Sequence, residues 1–432
     1  MTASCSWPKR ILMTADTVGG VWTYALELAR GLAPYGVEVA LATMGRWLSR
    51  EQRQQLAGLP NVEVFESDYR LEWMPNAWRA VDEAGDWLLG VEQRVEPHVI
   101  HLNGYAHGGL RWQSPKLVVG HSCVLSWWQA VRGTSAPAEW GNYRTRVQAG
   151  LTAADLVVAP SAQMLECLRR HYGPLPHARI IPNGRRLETL KQRPKEKFIL
   201  SAGRLWDAAK NISTLAAIAP ELPWPVCLAG DPGPPGAAQR GNHPAHRHAV
   251  LGTGVWREAM HLGRLSPAQL LPWFERAAIY AAPARYEPFG LSILEAAQAG
   301  CALVLGDIAS LRELWTDAAV FVPPTDAEEL TEVLRELSAS PAWRGELGIK
   351  AKARAERYSP ESMAAAYLAT YQELLGQPVL ASTDMPVARG ARAEYAVGRT
   401  VGSPRTTSAR GSAGQTRCVH RRARSRREEA VR

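Results

Sequence analysis

Short apolar runs alternate with longer amphipathic ones along this chain, and the alternation starts twice. RILMTA (10–15), VEVALAT (37–43), VEVF (62–65), HVIHL (98–102), KLVVGH (116–121), DLVVAP (155–160) and ARIIP (178–182) read as strands. Stretches of helical spacing lie among them at 21–36, about 76–94, near 138–153 and at 161–172. Strands this uniformly apolar are buried on both faces, and crossover helices make them parallel. After the turn signal Pro182-Asn183-Gly184 and the polar stretch LKQRPKEK (190–197), the pattern begins again. FILSAG (198–203), PVCLAG (225–230), HLGRL (261–265), AIYAAP (278–283), ALVLGD (302–307) and AVFVPP (319–324) read as strands. Helices follow from Asn211, Ser266, Gly290, 326, 341 and 360. The expectation is α/β, with a first Rossmann-like domain over 1–187 and a second over 188–358. Open parallel sheets bind ligands beyond the carboxyl ends of their strands, so two facing sheets make a cleft.

Charge excludes one class of partner. The formal charge of +9 comes almost entirely from residues 377–432, which hold twelve Arg, no Lys and four acids. The body is near neutral and carries no basic stripe, so no nucleic-acid partner is expected. The tail is rich in Arg, Ser, Gly and Ala without periodicity and is expected to be disordered. The segment 231–258 is rich in Gly, Pro and His and reads as an irregular loop. Its His243, His246 and His248, with His261 beyond, have no carboxylate beside them, so no metal site is expected there. Six scattered cysteines form no close pairs and read as buried free thiols, which favours a reducing, cytoplasmic setting. There is no apolar signal core and no membrane-length apolar run; peripheral membrane contact stays open.

The strongest chemical signal is RYEPFGLSILEAAQAG (285–300). Pro288 holds Glu287 extended, and Gly290 permits close approach of a ligand to the backbone. The helix that begins near Leu291 points its free amides at that ligand. Glu295, about one turn in, sits among apolar neighbours where an idle charge is costly, and it could accept two hydrogen bonds from a vicinal diol. In SAGRLWDAAKNIS (201–213), Arg204 ends a strand and Lys210 precedes Asn211, a good helix cap. A cation at a helix N-terminus is unfavourable unless an anion such as a diphosphate neutralises it. Gly19-Gly20 in TADTVGGVWTYALELARGL (14–32) forms a strand–helix turn whose amides could reach phosphate. The six-position dinucleotide pattern and the Walker lysine are both missing, which counts against NAD and ATP enzymes. In GHSCVLSWW (120–128), His121 ends a strand; His101 and Asn103 end the neighbouring one. Trp127-Trp128 could stack on a sugar or pack in a core. Ten of the sixteen Trp precede residue 190, so an aromatic acceptor groove in the first half is an expectation.

These features together resemble a glycosyltransferase of group 1, family 4, with the GT-B fold. The resemblance runs from about Lys9 to Gly376 and rests on Gly19-Gly20, APS (159–161), PNG (182–184), GRLWDAAKN, HLGRLS and above all EPFGLSILEAAQAG. It implies retaining transfer of a hexose-type sugar from a nucleotide-diphosphate sugar to a hydroxyl acceptor, with no metal and no further cofactor. The acceptor it implies is a sugar, a lipid or a small molecule. By position, Arg204 and Lys210 resemble the grip on the donor diphosphate, and Glu295 resembles the acid on the nucleotide ribose. Glu287 resembles the acid near the transferred sugar. Phe289, Gly290, Leu291 and Ser292 resemble the donor-binding helix start. Gly19 and Gly20 resemble the first-domain diphosphate turn, and His121 resembles a histidine at the reaction centre. The last helix, 359–376, is expected to cross back to the first domain. One departure stands out: Arg185-Arg186 follow Asn183-Gly184 where an acid is usual. A sugar-nucleotide epimerase of the same fold and a nucleotide-sugar-binding scaffold without catalysis are the alternatives.

Overall fold

The computed structural model describes residues 7–187, 189–231 and 259–376. The readings of the 231–258 loop and of the 377–432 tail fall, apart from Asp231, outside those residues. The first sheet holds seven strands: β1 Arg10–Asp16, β2 Glu38–Met44, β3 Val62–Glu66, β4 Val99–Leu102, β5 Lys116–Val119, β6 Leu156–Ala159 and β7 Ala178–Ile180. Their order is β3-β2-β1-β4-β5-β6-β7, and every pairing is parallel. The helices among them are α1 Gly20–Leu32, α2 Arg50–Leu56, α3 Trp78–Val95, α4 Val124–Arg132, α5 Gly141–Ala153 and α6 Ala162–Tyr172.

The second sheet holds β8 Glu196–Ala202, β9 Val226–Ala229, β10 Met260–Gly263, β11 Ala277–Ala282, β12 Ala302–Gly306 and β13 Val320–Val322. It runs β10-β9-β8-β11-β12-β13, again all parallel. Its helices are α7 Ile212–Ile218, α8 Pro267–Arg276, α9 Leu291–Gln298, α10 Ala309–Trp315, α11 Ala327–Ala339, α12 Pro341–Ala355 and α13 Pro360–Leu374. Two parallel-sheet α/β units facing each other are the GT-B architecture. Strand order reverses between β1 and β4 and between β8 and β11, and these switch points are where open sheets leave a crevice.

The central strands are apolar because both of their faces are covered. Ile11, Leu12 and Met13 on β1, and Phe198, Ile199 and Leu200 on β8, are fully buried. The chain then returns to the first sheet through α13, which lies on α1. A β-carbon at Gly31 of α1 would come within 2.8 Å of Ala364 Cβ and 3.0 Å of the Pro360 carbonyl, so only glycine lets the helices meet this closely. Tyr367 and Tyr371 of α13 bury completely in the first-domain core. His101, which the sequence places where a ligand contact belongs, is instead wholly buried between tyrosines. Its Nδ1 is 2.7 Å from the Tyr371 hydroxyl and its Nε2 is 3.1 Å from that of Tyr24. Burial drops its pKa to about 3, so it is a neutral peg joining β4 to α13.

Three helices were hidden in the sequence: α2, α4 and α10. Asn211 also departs from expectation. It stands before α7 in the left-handed region (φ 55°) and makes no side-chain cap. Its amide donates to the Pro283 and Pro324 carbonyls, fastening the ends of β11 and β13.

Candidate active site

The carboxyl ends of β1, β8 and β11 meet in the cleft. From β1 comes the turn Gly19-Gly20, the start of α1. A β-carbon on Gly20 would stand 3.6 Å from Leu291 Cδ1, so the N-terminal ends of α1 and α9 face each other across the domains. Gly290 precedes α9 with φ 90°, a conformation that favours glycine, and a β-carbon there would strike Ile293 at 2.7 Å. The turn therefore leaves its backbone amides open to a ligand, with the partial positive charge of the helix start behind them. Phe289 is buried edge-on to Tyr358, so only its backbone can face the cleft. The Ser292 hydroxyl accepts from Tyr280 at 2.9 Å.

The cations predicted to grip an anion are present, and each already holds a carboxylate. Lys210 Nζ pairs with Glu287, in contact with one of its carboxylate oxygens. Arg204 Nη2 pairs with Asp207 Oδ2 at 2.7 Å and lies over the Trp206 ring. Asp207 was not singled out in the sequence, although it stands in the same turn as Arg204. It is buried, and its other oxygen accepts from the Ala209 amide at 3.0 Å and from the Trp127 indole at 3.2 Å. Trp127 is thus a strut between domains as well as half of an edge-on pair with Trp128.

Glu295 is in a setting the sequence did not show. Its carboxylate contacts Arg185, whose Nη1 also lies 3.1 Å from Glu27 Oε1 on α1. Burial pushes the Glu295 carboxyl above its ordinary range, against the opposing pull of Arg185. The Arg that replaces the usual acid after Asn183-Gly184 therefore fills a role: it joins two acids from two domains.

His121 is set by its neighbours. The Asn103 amide donates to the Thr14 carbonyl at 2.6 Å, which turns Asn103 Oδ1 toward His121 Nε2 at 2.8 Å. The ring must donate there, so Nε2 carries the proton and Nδ1 keeps its lone pair. Burial drops its pKa to about 3, and its ring packs edge-on against Tyr24 at 4.4 Å. A neutral imidazole is what this position offers. Glu72, also missed, accepts from the Tyr105 and Ala106 amides beyond β4.

Other contacts lock the domains near the 285–290 loop. Tyr286 Oη accepts from the Cys123 amide at 3.0 Å and Ser161 Oγ donates to the Pro288 carbonyl at 2.9 Å across the domains, while within the second domain Ser310 Oγ donates to the Glu287 carbonyl at 2.7 Å. The Glu313 carboxylate accepts from the Ala162 and Gln163 amides at the start of α6. Asp16, at the end of β1, is desolvated and its pKa rises to about 6 despite its bonds to the Val18 and Gly19 amides and the nearby charges of Arg204 and Arg46. A diphosphate approaching Gly19-Gly20 would meet this acid. Donor binding should therefore weaken as pH rises through about 6 and Asp16 ionises, because an anionic ligand favours the protonated acid. Asp16→Asn should remove that dependence in a binding titration over pH 5–7.5; an unchanged pH profile in the variant would clear Asp16 of the role.

Among the described residues no cluster of three or more His, Cys, Asp or Glu could hold a metal ion, and no helix is long and apolar enough to cross a membrane.

This site and architecture define a GT-B glycosyltransferase. Sequence comparison agrees. The family model "Glycosyltransferase Family 4" matches residues 18–189, and "Glycosyl transferases group 1" matches 186–354. The chain belongs to the group 1 glycosyltransferases. A D-inositol 3-phosphate glycosyltransferase from Xylanimonas cellulosilytica is 26% identical over 399 residues, covering 82% of this chain and 92% of that one. Sucrose-phosphate synthase from Thermosynechococcus elongatus shares the fold at TM-score 0.68 and 21% identity, over 85% of this chain and 99% of the other. HepE of Anabaena, solved with UDP and glucose, superposes at TM-score 0.62 and 16% identity, over 84% and 99%.

Proposed function

We propose that this enzyme moves a hexose-type sugar from a nucleotide-diphosphate sugar to a hydroxyl acceptor, with retention at the anomeric carbon and without a metal. The observation that carries this is the meeting of Gly19-Gly20, Arg204, Lys210 and the start of α9 at one place between two sheets. Two helix starts and two cations suit a diphosphate. The nucleotide and sugar bound to the HepE relative support a donor of this class, and the names of the inositol-phosphate and sucrose-phosphate relatives support a polyhydroxy acceptor.

The ion pair of Lys210 with Glu287 suggests how the donor enters. The incoming diphosphate takes Lys210 as its counter-ion, which frees the Glu287 carboxylate for hydroxyls of the transferred sugar. Arg204, Lys210 and the amides of Gly290 and Leu291 then stabilise charge on the departing diphosphate. The bond from the anomeric carbon to the diphosphate oxygen breaks as the acceptor oxygen bonds to that carbon on the same face. The acceptor proton passes to the departing oxygen. His121, neutral and fixed by Asn103, receives hydroxyl groups at its Nδ1. Glu295 holds the nucleotide ribose once Arg185 shifts toward Glu27. Residues beyond β1 and β4 on the first domain hold the acceptor. The residue chemistry calls for no cofactor, and a cytoplasmic setting with or without membrane contact is compatible with it.

A thermal-shift panel of UDP-, GDP- and ADP-sugars identifies the donor, since a ligand at 100 times its dissociation constant adds about 2.7 kcal/mol of stability. Transfer to polyol and sugar acceptors is then followed by proton NMR of the anomeric signal. A product of inverted configuration overturns retention. An isomerised donor formed without acceptor selects the epimerase, and a donor that binds but is never cleaved selects the scaffold.

A further inference from the structure

We propose that a second ligand site lies between the domains, behind the turn at 286–288, and that it takes a sugar-sized polyhydroxy molecule bearing one phosphate or carboxylate group. A cavity of about 330 Å³ opens there, at the small end of the range for ligand pockets. Gln129 of α4 and Gln163, Arg170 and His171 of α6 wall it from the first domain, and Arg285 and Tyr286 wall it from the second.

The charge of this cavity is one-sided. Its lining includes two arginines and no Asp or Glu, while burial and the neighbouring arginines push the His171 pKa down and keep its ring neutral. Glu313 of the adjoining α10 is not part of the lining, and its two oxygens are turned to the Ala162 and Gln163 amides. Arg285 gives the sharper sign. Its Nε is buried and has no hydrogen-bond partner among the described residues. A buried guanidinium donor left unpaired is unfavourable and leaves this arginine's charge uncompensated by the described residues, and an oxyanion in the cavity would suit the guanidinium fork. The amides of Gln129 and Gln163 offer both donors and acceptors to hydroxyl groups.

The cavity is distinct from the donor site and shares one loop with it. Tyr286 and Pro288 line it, whereas Glu287 between them is absent from the lining and reaches Lys210 instead. A ligand here touches α6 with one end and the 285–288 segment with the other, so it holds the domains together next to Glu287. This site does not depend on the proposed transfer reaction.

Isothermal titration of the full chain, with probes added in the absence and in the presence of saturating nucleoside diphosphate and with nucleoside diphosphate titrated alone, tests it. Glucose 6-phosphate and glucuronate are the probes. One or both should bind once per chain, with inorganic phosphate and glucose at least tenfold weaker. Arg285→Gln and Arg170→Gln should each weaken probe binding tenfold or more and leave nucleoside diphosphate affinity unchanged. Arg285→Lys should restore only part of the loss. Arg170 is exposed on a helix, so its substitution should leave folding unchanged; thermal melting checks both variants. The proposal is overturned if neither probe binds, if nucleoside diphosphate displaces them, if both arginine variants bind normally, or if inorganic phosphate binds as well as the sugar acids.

Discussion

Replacing Lys210 by alanine should lower turnover by about 100- to 1,000-fold, the usual loss when one preorganised donor to a developing charge is removed. The side chain is held ready: its amide donates to the Asp207 carbonyl at 2.9 Å, and its ammonium rests on Glu287. In the proposed reaction that ammonium moves to the leaving diphosphate, where its charge counts most in the transition state. The effect should therefore appear in kcat as well as in kcat/KM. The protein should nevertheless stay folded. Removing the lysine leaves Glu287 without its cation, but the carboxylate borders the cleft and water can take the vacated place. Unfolding should stay cooperative, with a cost of at most about 3 kcal/mol. Steady-state release of nucleoside diphosphate, measured beside a melting curve, decides the matter. Turnover within tenfold of the parent in a folded Lys210→Ala protein would remove Lys210 from the chemistry.

Much of the scaffold was legible because parallel strands buried on both faces must be apolar. Runs such as FILSA and ALVLG can hardly be surface segments, and they are β8 and β12. The hidden helices have physical reasons too. REQRQQL in α2 carries one apolar residue in seven, so it shows no stripe. It is held from its start by a capping box of Ser49 and Gln52. ASLRELW in α10 spans only two turns. VLSWWQAVR in α4 drew attention for its tryptophans and not for its period.

In the site, strand ends drew attention to Arg204 and His121, and the helix starts that follow drew attention to Lys210 and Glu287. Their partners were not legible. Whether Lys210 rests on Glu287 or on Asp207 depends on how two loops from different strands approach, and no local pattern encodes that. The same holds for His101 and His121. Both end neighbouring strands, yet α13 closes over the first, while the second keeps one ring nitrogen for the cleft. Only Arg185 left a trace, as a basic residue where an acid was expected, and the trace marked a departure without indicating its purpose.

That purpose leads to the second large effect. Arg185→Ala should destabilise the protein by about 3–5 kcal/mol, the usual cost of breaking a buried ion pair from one side. Arg185 and Glu295 side chains are each 12% exposed, so removing the arginine leaves Glu295 without its cation in a poorly hydrated space, while Glu27 keeps Arg30 at 3.1 Å. The loss should depend on pH in a definite direction. Burial already raises the Glu295 pKa, and Arg185 is what opposes the rise. Without Arg185 the folded-state pKa climbs further above its unfolded value. The folded variant then holds a proton that the unfolded chain releases, so its stability falls as pH increases through the interval between the two pKa values. Melting temperatures of parent and variant should accordingly converge on acidification and separate toward neutral pH. The double variant Glu295→Gln, Arg185→Ala should recover part of the stability at pH 7, since the acid that suffers most is neutral. Equal melting temperatures for parent and Arg185→Ala at pH 7 would mean that water already screens Glu295, and that the arginine is not what joins α1 to α9.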